Sequence, residues 1–420
     1  MGILIKKPLK ILNGMSKKYL QEMLDLEFAP RISIKAWIST LKKLIKKEYI
    51  MNKKKFMQFL MLSLACGTFF ALGNSNTAWA ASAQITAPAE TIVASQLDNR
   101  WDKKFPVNTN VRQQKITFYN RFGITLVADM YVPKNMHKGS KLPAIALAGP
   151  YGAVKEQVSG RYAQELASRG FVTIAFDPSF TGESAGLPRN TTSPDINTED
   201  FLAAVDYLSN NELVDADKIG ILGICGWGGF ALNAGAQDPR IKGIVASTMY
   251  DMSRVIENGY FDEGKDPEVL KKERMAARKQ LAAQRSLDYK NGYYAMAGGV
   301  PLQVTEKDPQ FVRDYHSYYQ TERGHHERSF GSTTGATLSS VLNFMNAPIN
   351  MFIDEIEAPV LLIHGEKAHS RYFSEAAYKK LKGDNKELVI VPGAVHTDLY
   401  DKMDVIPFDK IEDFFKKSLR

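Results

Sequence analysis

The stretch Lys218-Ile219-Gly220-Ile221-Leu222-Gly223-Ile224-Cys225-Gly226-Trp227-Gly228-Gly229-Phe230-Ala231 decides the fold. A short apolar run, of the kind that forms a strand buried on both faces, gives way abruptly to glycines at Cys225. The strand is therefore expected to end at Ile224 and a helix to open in the Gly-rich segment. A sharp strand-to-helix turn of this kind exposes one reactive side chain on a strained backbone, and small neighbours avoid colliding with it. Cys225 occupies that place, with Gly223 two residues before it. The N–H groups at the helix start would favour a thiolate and bind a developing oxyanion.

Outward from this turn, the chain alternates apolar strands with helical segments. QKITFYN (114–120) and ITLVADMYV (124–132) read as an antiparallel hairpin, followed by strands at 143–148, 171–177, 218–224 and 241–247. Helices are expected near 155–169 and 198–209. The pattern resumes with strands at 359–364 and 387–391, a helix at 374–381 and a closing amphipathic helix at 408–419. Such alternation predicts an α/β fold, a mostly parallel central sheet flanked by helices on both faces. About one hundred residues intervene at 251–357. They open with a helix to about residue 287, for which Asp266 is a good N-cap and Pro267 suits the first helical position. A second helix is expected near 337–345, and between them lies a Tyr-rich stretch with Tyr289, Tyr293, Tyr294, Tyr315, Tyr318 and Tyr319. Placed over the sheet's active edge, this mainly helical insertion would act as a cap that shapes a pocket; the plainer reading is that its aromatics only pack the insertion.

Charge and cysteine content bound the function. The net charge of +8 sits at one end: residues 1–80 hold 14 of the 54 Lys/Arg and 4 of the 46 Asp/Glu, leaving 81–420 with a net charge of −2. The body is not basic, so no nucleic-acid partner is expected. Residues 51–80 read as a secretory signal, with Lys53, Lys54 and Lys55, an apolar run to about Leu72, and Ala78-Trp79-Ala80 before Ala81. Residues 1–50 then read as a non-native upstream extension, and 81–420 as a single exported domain, periplasmic or secreted, without a stable membrane span once the signal is removed. A membrane anchor, or a lipoprotein site at Cys66, are the alternatives. Loss of Cys66 with the signal leaves Cys225 as a lone thiol in an oxidising compartment, a liability unless buried or used.

The chain resembles the α/β-hydrolase superfamily, in its dienelactone-hydrolase-like branch with a cysteine nucleophile, and is similar to the bacterial polyketide transferase group. The resemblance rests on AGPYGAVKEQ (148–157), GICGWGG (223–229), STMYDMSRV (247–255), HGEKAHSRYFSE (364–375) and VPGAVHTDLYD (391–401). It implies Cys225 as nucleophile and His396, in the loop after the last strand, as general base. The usual superfamily acid would fall near Ala368, which cannot orient an imidazole; Asp251, after the strand at 241–247, is taken as the acid, with Glu366 as the alternative. The N–H groups of Gly226 and Tyr151 are the expected oxyanion donors, and Lys155-Glu156-Gln157 the anchor of that loop. Trp227 stands where the elbow pattern has glycine; an alignment shifted by two residues would put tryptophan at the nucleophile position. No Walker loop, dinucleotide fingerprint or metal-ligand spacing appears, so no cofactor and no metal are expected. The implied activity is cleavage of an ester, thioester or lactone in a small-molecule acyl substrate. Acyl transfer on the same scaffold and a noncatalytic binding protein are the alternatives. If the signal is read correctly, N-terminal sequencing of protein recovered from the exported fraction will begin at Ala81; a mature chain that retains residues 51–80 would contradict it.

Overall fold

The computed structural model describes residues 92–420; the expected upstream extension, the signal peptide and Cys66 lie outside the described residues. The eight strands are β1 (Val111–Tyr119), β2 (Thr125–Pro133), β3 (Leu142–Ala148), β4 (Val172–Phe176), β5 (Val214–Ile224), β6 (Ile241–Ser247), β7 (Val360–Gly365) and β8 (Lys386–Val391). They form one sheet in the order β1-β2-β4-β3-β5-β6-β7-β8. The β1–β2 hairpin and the β2–β4 pair are antiparallel, and every pair from β4 through β3 to β8 is parallel. The central strands β2, β4 and β7 are buried at every position. Asp129 of β2, Thr173 of β4 and His364 of β7 are therefore polar groups enclosed within the sheet. β5 begins at Val214, earlier than the sequence suggests, because its outer end, Asp215 to Lys218, is polar and partly exposed.

Helices α1 (Val158–Ser168), α2 (Pro194–Ser209) and α3 (Gly226–Gln237) connect the central strands. α2 is longer at its start than expected: Ser193 caps it and Pro194 opens it, so the four residues before Thr198 are helical too. α4 (Met252–Asn258), α5 (Pro267–Asn291) and α6 (Gln310–Tyr319) belong to the insertion between β6 and β7; α7 (Arg371–Lys380), α8 (Asp398–Asp401) and α9 (Phe408–Ser418) complete the chain. Asp266 caps α5 as predicted, and Gly292 closes it in the left-handed conformation. The helix expected near 337–345 is a 3₁₀ segment, Leu338–Asn346, while α4 and α6 carry too few turns for their apolar spacing to announce them.

Two glycines of β5 show how the sheet accepts helices on both faces. A side chain at Gly220 would meet the Phe415 ring of α9 at 2.6 Å, whereas one at Gly223 would lie 2.0 Å from the Trp227 carbonyl oxygen of α3. Positions three apart on a strand face opposite sides, so the closing helix and the helix after the elbow press on the same strand from opposite faces. Gly223→Ala should therefore destabilise the protein by about 1–3 kcal/mol through overpacking against an immobile backbone, read as a lower urea midpoint with unchanged m-value.

Candidate active site

Cys225 stands at the end of β5 with φ 56° and ψ −125°, a left-handed conformation outside the helix it precedes. Three backbone hydrogen bonds hold it there. Its N–H donates to Ser247 O of β6 (2.9 Å), and its carbonyl accepts from Gly228 N (3.0 Å) and Tyr250 N (2.9 Å). The turn thus projects the sulfur from the C-terminal edge of the sheet, as a nucleophile elbow does. Trp227 takes no part in this projection. It is 3% exposed, and its ring meets Phe176, Phe201 and Phe230 edge-on or tilted, with centroids 5.0–5.8 Å away. The elbow residue is Cys225, and the tryptophan two residues later is a core side chain.

The polar groups that would stabilise negative charge on the sulfur are the Tyr400 and Tyr315 hydroxyls and the backbone N–H groups of Tyr151 and Gly226. The two N–H groups come from the loop after β3 and from the first residue of α3, so the pair expected to bind an oxyanion meets at the thiol. A Cβ on Gly226 would press on Tyr151 Cβ at 2.8 Å and Met252 Sδ at 2.9 Å, so only glycine lets these two loops close on each other. Tyr151 is fixed further by its hydroxyl to Thr192 Oγ1 (3.1 Å) and by an edge contact with Phe330 of the insertion.

The same loop is anchored from below, as the Lys155-Glu156-Gln157 segment suggested. Lys155 is fully buried; its backbone N–H and its ammonium both bond Asp177 (2.8 Å each), and the ammonium also pairs with Glu156 (2.8 Å) and Glu183 (2.5 Å). Glu156 in turn pairs with Arg328 of the insertion (2.9 Å), and Gln157 donates to Gly324 O (2.5 Å).

His396 lies between β8 and α8 and is 2% exposed. Its Nε2 is 3.1 Å from the Tyr400 hydroxyl, so a tyrosine stands between imidazole and thiol. Its Nδ1 faces two hydroxyls, Ser370 Oγ at 2.6 Å and Thr248 Oγ1 at 2.8 Å. The structure brings neither expected acid to this ring. Asp251 caps α4, its carboxylate accepting from Arg254 N at 3.0 Å, and Glu366 accepts from Gly393 N at 2.8 Å on the surface. Helix capping is what an aspartate placed just before a helix does best, and an exposed glutamate gains little from reaching into a dry site. Ala368 is buried beside the place where the superfamily acid would stand.

A cage of rings closes over the sulfur. Phe311, Tyr315 and Tyr319 project from one face of α6 at positions i, i+4 and i+8, and Tyr250, Tyr260 and His369 complete the wall. The Tyr250 hydroxyl bonds Tyr315 (2.9 Å) and His369 Nε2 (2.5 Å). The Tyr-rich stretch of the insertion thus divides: Tyr315 and Tyr319 line the site and Tyr318 backs it, whereas Tyr289, Tyr293 and Tyr294 are 93%, 62% and 50% exposed. Tyr250, Tyr400, Thr248, Ser370 and His369 are the site residues that sequence reasoning missed. Of these only Tyr400 carried a signal, four residues after His396 and so one helical turn away. No group of three or more potential metal ligands is gathered among the described residues, and no described helix is long and apolar enough to cross a membrane.

Electrostatically the site is neutral. Burial pushes the Cys225 thiol above its ordinary 9.0, against the hydrogen bonds from Tyr400, Tyr151, Gly226 and Tyr315. Burial, followed by the proximity of His369 and His364, holds His396 well below 6.5. At neutral pH the resting pair is therefore thiol and neutral imidazole, not thiolate and imidazolium.

With this geometry in hand, comparison with known proteins places the chain. The family model for X-Pro dipeptidyl-peptidase (S15 family) matches residues 123–398. An uncharacterized protein of Pseudomonas aeruginosa, PA2218, is 50% identical over 365 residues, 85% of this chain and 94% of that protein. Its crystal structure superposes with a TM-score of 0.73, at 54% identity, over 77% of this chain and 99% of the other. The uncharacterized protein YcjY of Escherichia coli K12 is 33% identical over 68% of this chain and 92% of its own. An acyltransferase of Aspergillus calidoustus, drtE, is 30% identical over a shorter stretch, 33% of this chain and 43% of its own.

A thiol whose pKa lies above 9 is less than about 1% thiolate at pH 7. Alkylation of Cys225 by iodoacetamide should accordingly be slower at pH 7 than that of free cysteine and should climb as the pH passes 9. A rate already at its plateau below pH 7 would reveal a thiolate–imidazolium pair instead.

Proposed function

The chain belongs to the X-Pro dipeptidyl-peptidase (S15) family of the α/β-hydrolase superfamily, and from that membership we propose that it is an exported hydrolase that cleaves an ester, thioester or lactone through a thioester to Cys225. One observation carries the reading: Cys225 stands at positive φ on the strand-to-helix turn, beside a tyrosine that is bonded to a histidine.

The chemistry follows from those bonds. As the thiol attacks the carbonyl carbon, its proton moves to the Tyr400 oxygen while the Tyr400 proton moves to His396 Nε2. The carbonyl oxygen, now negative, takes the N–H groups of Tyr151 and Gly226 that had faced the sulfur. The tetrahedral species collapses, the bond to the leaving group breaks, and that group departs with the proton returned from His396 through Tyr400. Water then gives its proton to His396 and attacks the thioester; the C–S bond breaks and the thiolate recovers the proton. Expulsion of an amine from an amide demands an imidazolium at the moment of collapse, which a site that keeps His396 neutral supplies poorly. Alkoxide and thiolate leaving groups demand less, so ester-type bonds suit this site better than peptide bonds. The rings around the sulfur carry hydroxyls and imidazoles but no ammonium or guanidinium, which fits an uncharged acyl group.

A second reading, acyl transfer, is favoured by the closed cage: Cys225 is 7% exposed and roofed by α6. If the insertion keeps water out after acylation, an alcohol, amine or thiol can intercept the thioester by the same steps.

Incubation with an activated p-nitrophenyl ester should give a single acyl adduct on Cys225 by intact and peptide mass spectrometry, absent from Cys225→Ala. Tyr400→Phe should lower kcat/KM by about 10²-fold, the scale of a lost proton-transfer partner. Stoichiometric labelling that persists in Cys225→Ala would refute the nucleophile, and products captured by competing alcohols or thiols would select transfer over hydrolysis.

A further inference from the structure

The buried polar cluster behind His396 is left unused by the mechanism above. His364, at the end of β7, is fully buried. Its Nε2 lies 2.9 Å from Ser370 Oγ, and its Nδ1 lies 2.7 Å from Ser374 Oγ. Ser370 Oγ is also the atom 2.6 Å from His396 Nδ1. Thr248 Oγ1 stands beside it, 2.8 Å from His396 Nδ1 and 3.4 Å from His364 Nε2.

Ser370 is the residue preceding α7, the position where serine ordinarily turns its hydroxyl back to cap the helix. Here it makes no capping bond, and its hydroxyl is given to the two imidazoles. A helix start that forgoes its cap while its serine, fully buried, joins two histidines has a use for that serine elsewhere. Thr248 makes a comparable sacrifice, held at φ 46° at the end of β6.

We propose that His396 is oriented without a carboxylate: Ser370, backed by His364, takes the place of the acid by accepting a hydrogen bond from His396 Nδ1–H and passing its own hydroxyl proton toward His364 Nε2. The proposal rests on the proposed role of His396 as base. With His396 Nε2 acting as the base, the donor directions run one way. His396 Nε2 must be free to accept from Tyr400, so the ring's proton sits on Nδ1 and donates to Ser370 Oγ. Ser370 O–H donates to His364 Nε2, and His364 Nδ1–H donates to Ser374 Oγ. Each hydroxyl accepts one bond and each neutral ring donates one and accepts one, which matches what these groups can do. A carboxylate would fix the same tautomer but would also stabilise imidazolium; a hydroxyl fixes the tautomer and leaves the ring neutral. Burial keeps the thiol and the imidazole neutral at rest, and a hydroxyl in the acid's place does not oppose it. Ser370 and His364 are thus positioning residues, acting on substrate through His396.

The test uses the full chain labelled with ¹⁵N-histidine, with the His396 signals identified by their loss in His396→Gln. In the wild type the His396 nitrogen shifts should report the Nδ1–H tautomer. Ser370→Ala should shift them toward the Nε2–H tautomer and lower kcat/KM about 10- to 100-fold with KM little changed, as expected when a base is mis-set. Ser370→Asp should restore the Nδ1–H tautomer and return part of the lost rate. The proposal is overturned if Ser370→Ala keeps the wild-type tautomer, whether turnover holds or falls through lower thermal stability. It is equally overturned if Thr248→Val alone produces the tautomer shift and Ser370→Ala does not, which would give the role to Thr248. Should the wild type form no acyl adduct on Cys225, the proposed function fails by its own test, while the tautomer measurement still decides the role of Ser370.

Discussion

A single residue held at positive φ organises this molecule. Cys225 adopts a conformation that costs an L-residue on the order of 1–3 kcal/mol, and the cost is met by backbone bonds from three directions: β6, the start of α3 and the chain entering the insertion. Because the Cys225 carbonyl accepts from both Gly228 and Tyr250, the helix after the elbow and the segment after β6 are tied to the same peptide. The glycines at 223 and 226 are the steric counterpart, each lying where a Cβ would strike backbone or a neighbouring loop. The elbow is therefore a junction, and the loop of Tyr151, the α6 roof and the His396 loop all take their places relative to it.

The second constraint is electrostatic. Lys155, Glu156, Asp177 and Asp129 are buried without water-facing area, and Lys155 meets three carboxylates. Paired charges of this kind add little net stability over apolar packing, but removing one partner strands the others at a cost of about 3–5 kcal/mol. Their value is positional. Arg328 joins Glu156 to Asp102, so a side chain of the insertion is keyed into the loop that supplies Tyr151. The insertion and the loop that carries the proposed oxyanion donor Tyr151 are thus tied by one network.

The sequence made the scaffold legible where the signal was local. Strands buried on both faces announce themselves as apolar runs, the elbow shows itself where such a run meets glycines at Cys225, and α5 displays Asp266-Pro267 at its start. The remainder of the site is assembled from contacts between residues far apart in the chain. Ser370 is 26 residues from His396, Thr248 is 148, and Tyr250 is 119 from His369. A serine or threonine hydroxyl has no characteristic spacing, so nothing local distinguishes Ser370 from an ordinary helix cap. The expected acids fail for the same reason in reverse: Asp251 has the spacing of a catalytic residue and is spent on its own helix. Trp227 could be read two ways until the backbone angles put the bend at Cys225.

A dry, neutral site has a consequence for how a thiol of this kind is activated. Nothing around Cys225 stabilises a standing thiolate: burial raises its pKa, and the polar groups nearest it are N–H and O–H dipoles rather than charges. The N–H groups of Tyr151 and Gly226 are nonetheless placed to meet negative charge before any appears. In the proposed reaction they stabilise the sulfur as it becomes anionic and then serve the substrate oxygen as the charge moves there. The field is already in place and needs no reorganisation during the reaction. A buried thiol of raised pKa is also poorly reactive toward oxidants, since that reactivity follows thiolate character and exposure. In the proposed mechanism low resting reactivity and catalytic competence have the same origin, a sulfur that is surrounded by dipoles and kept from water.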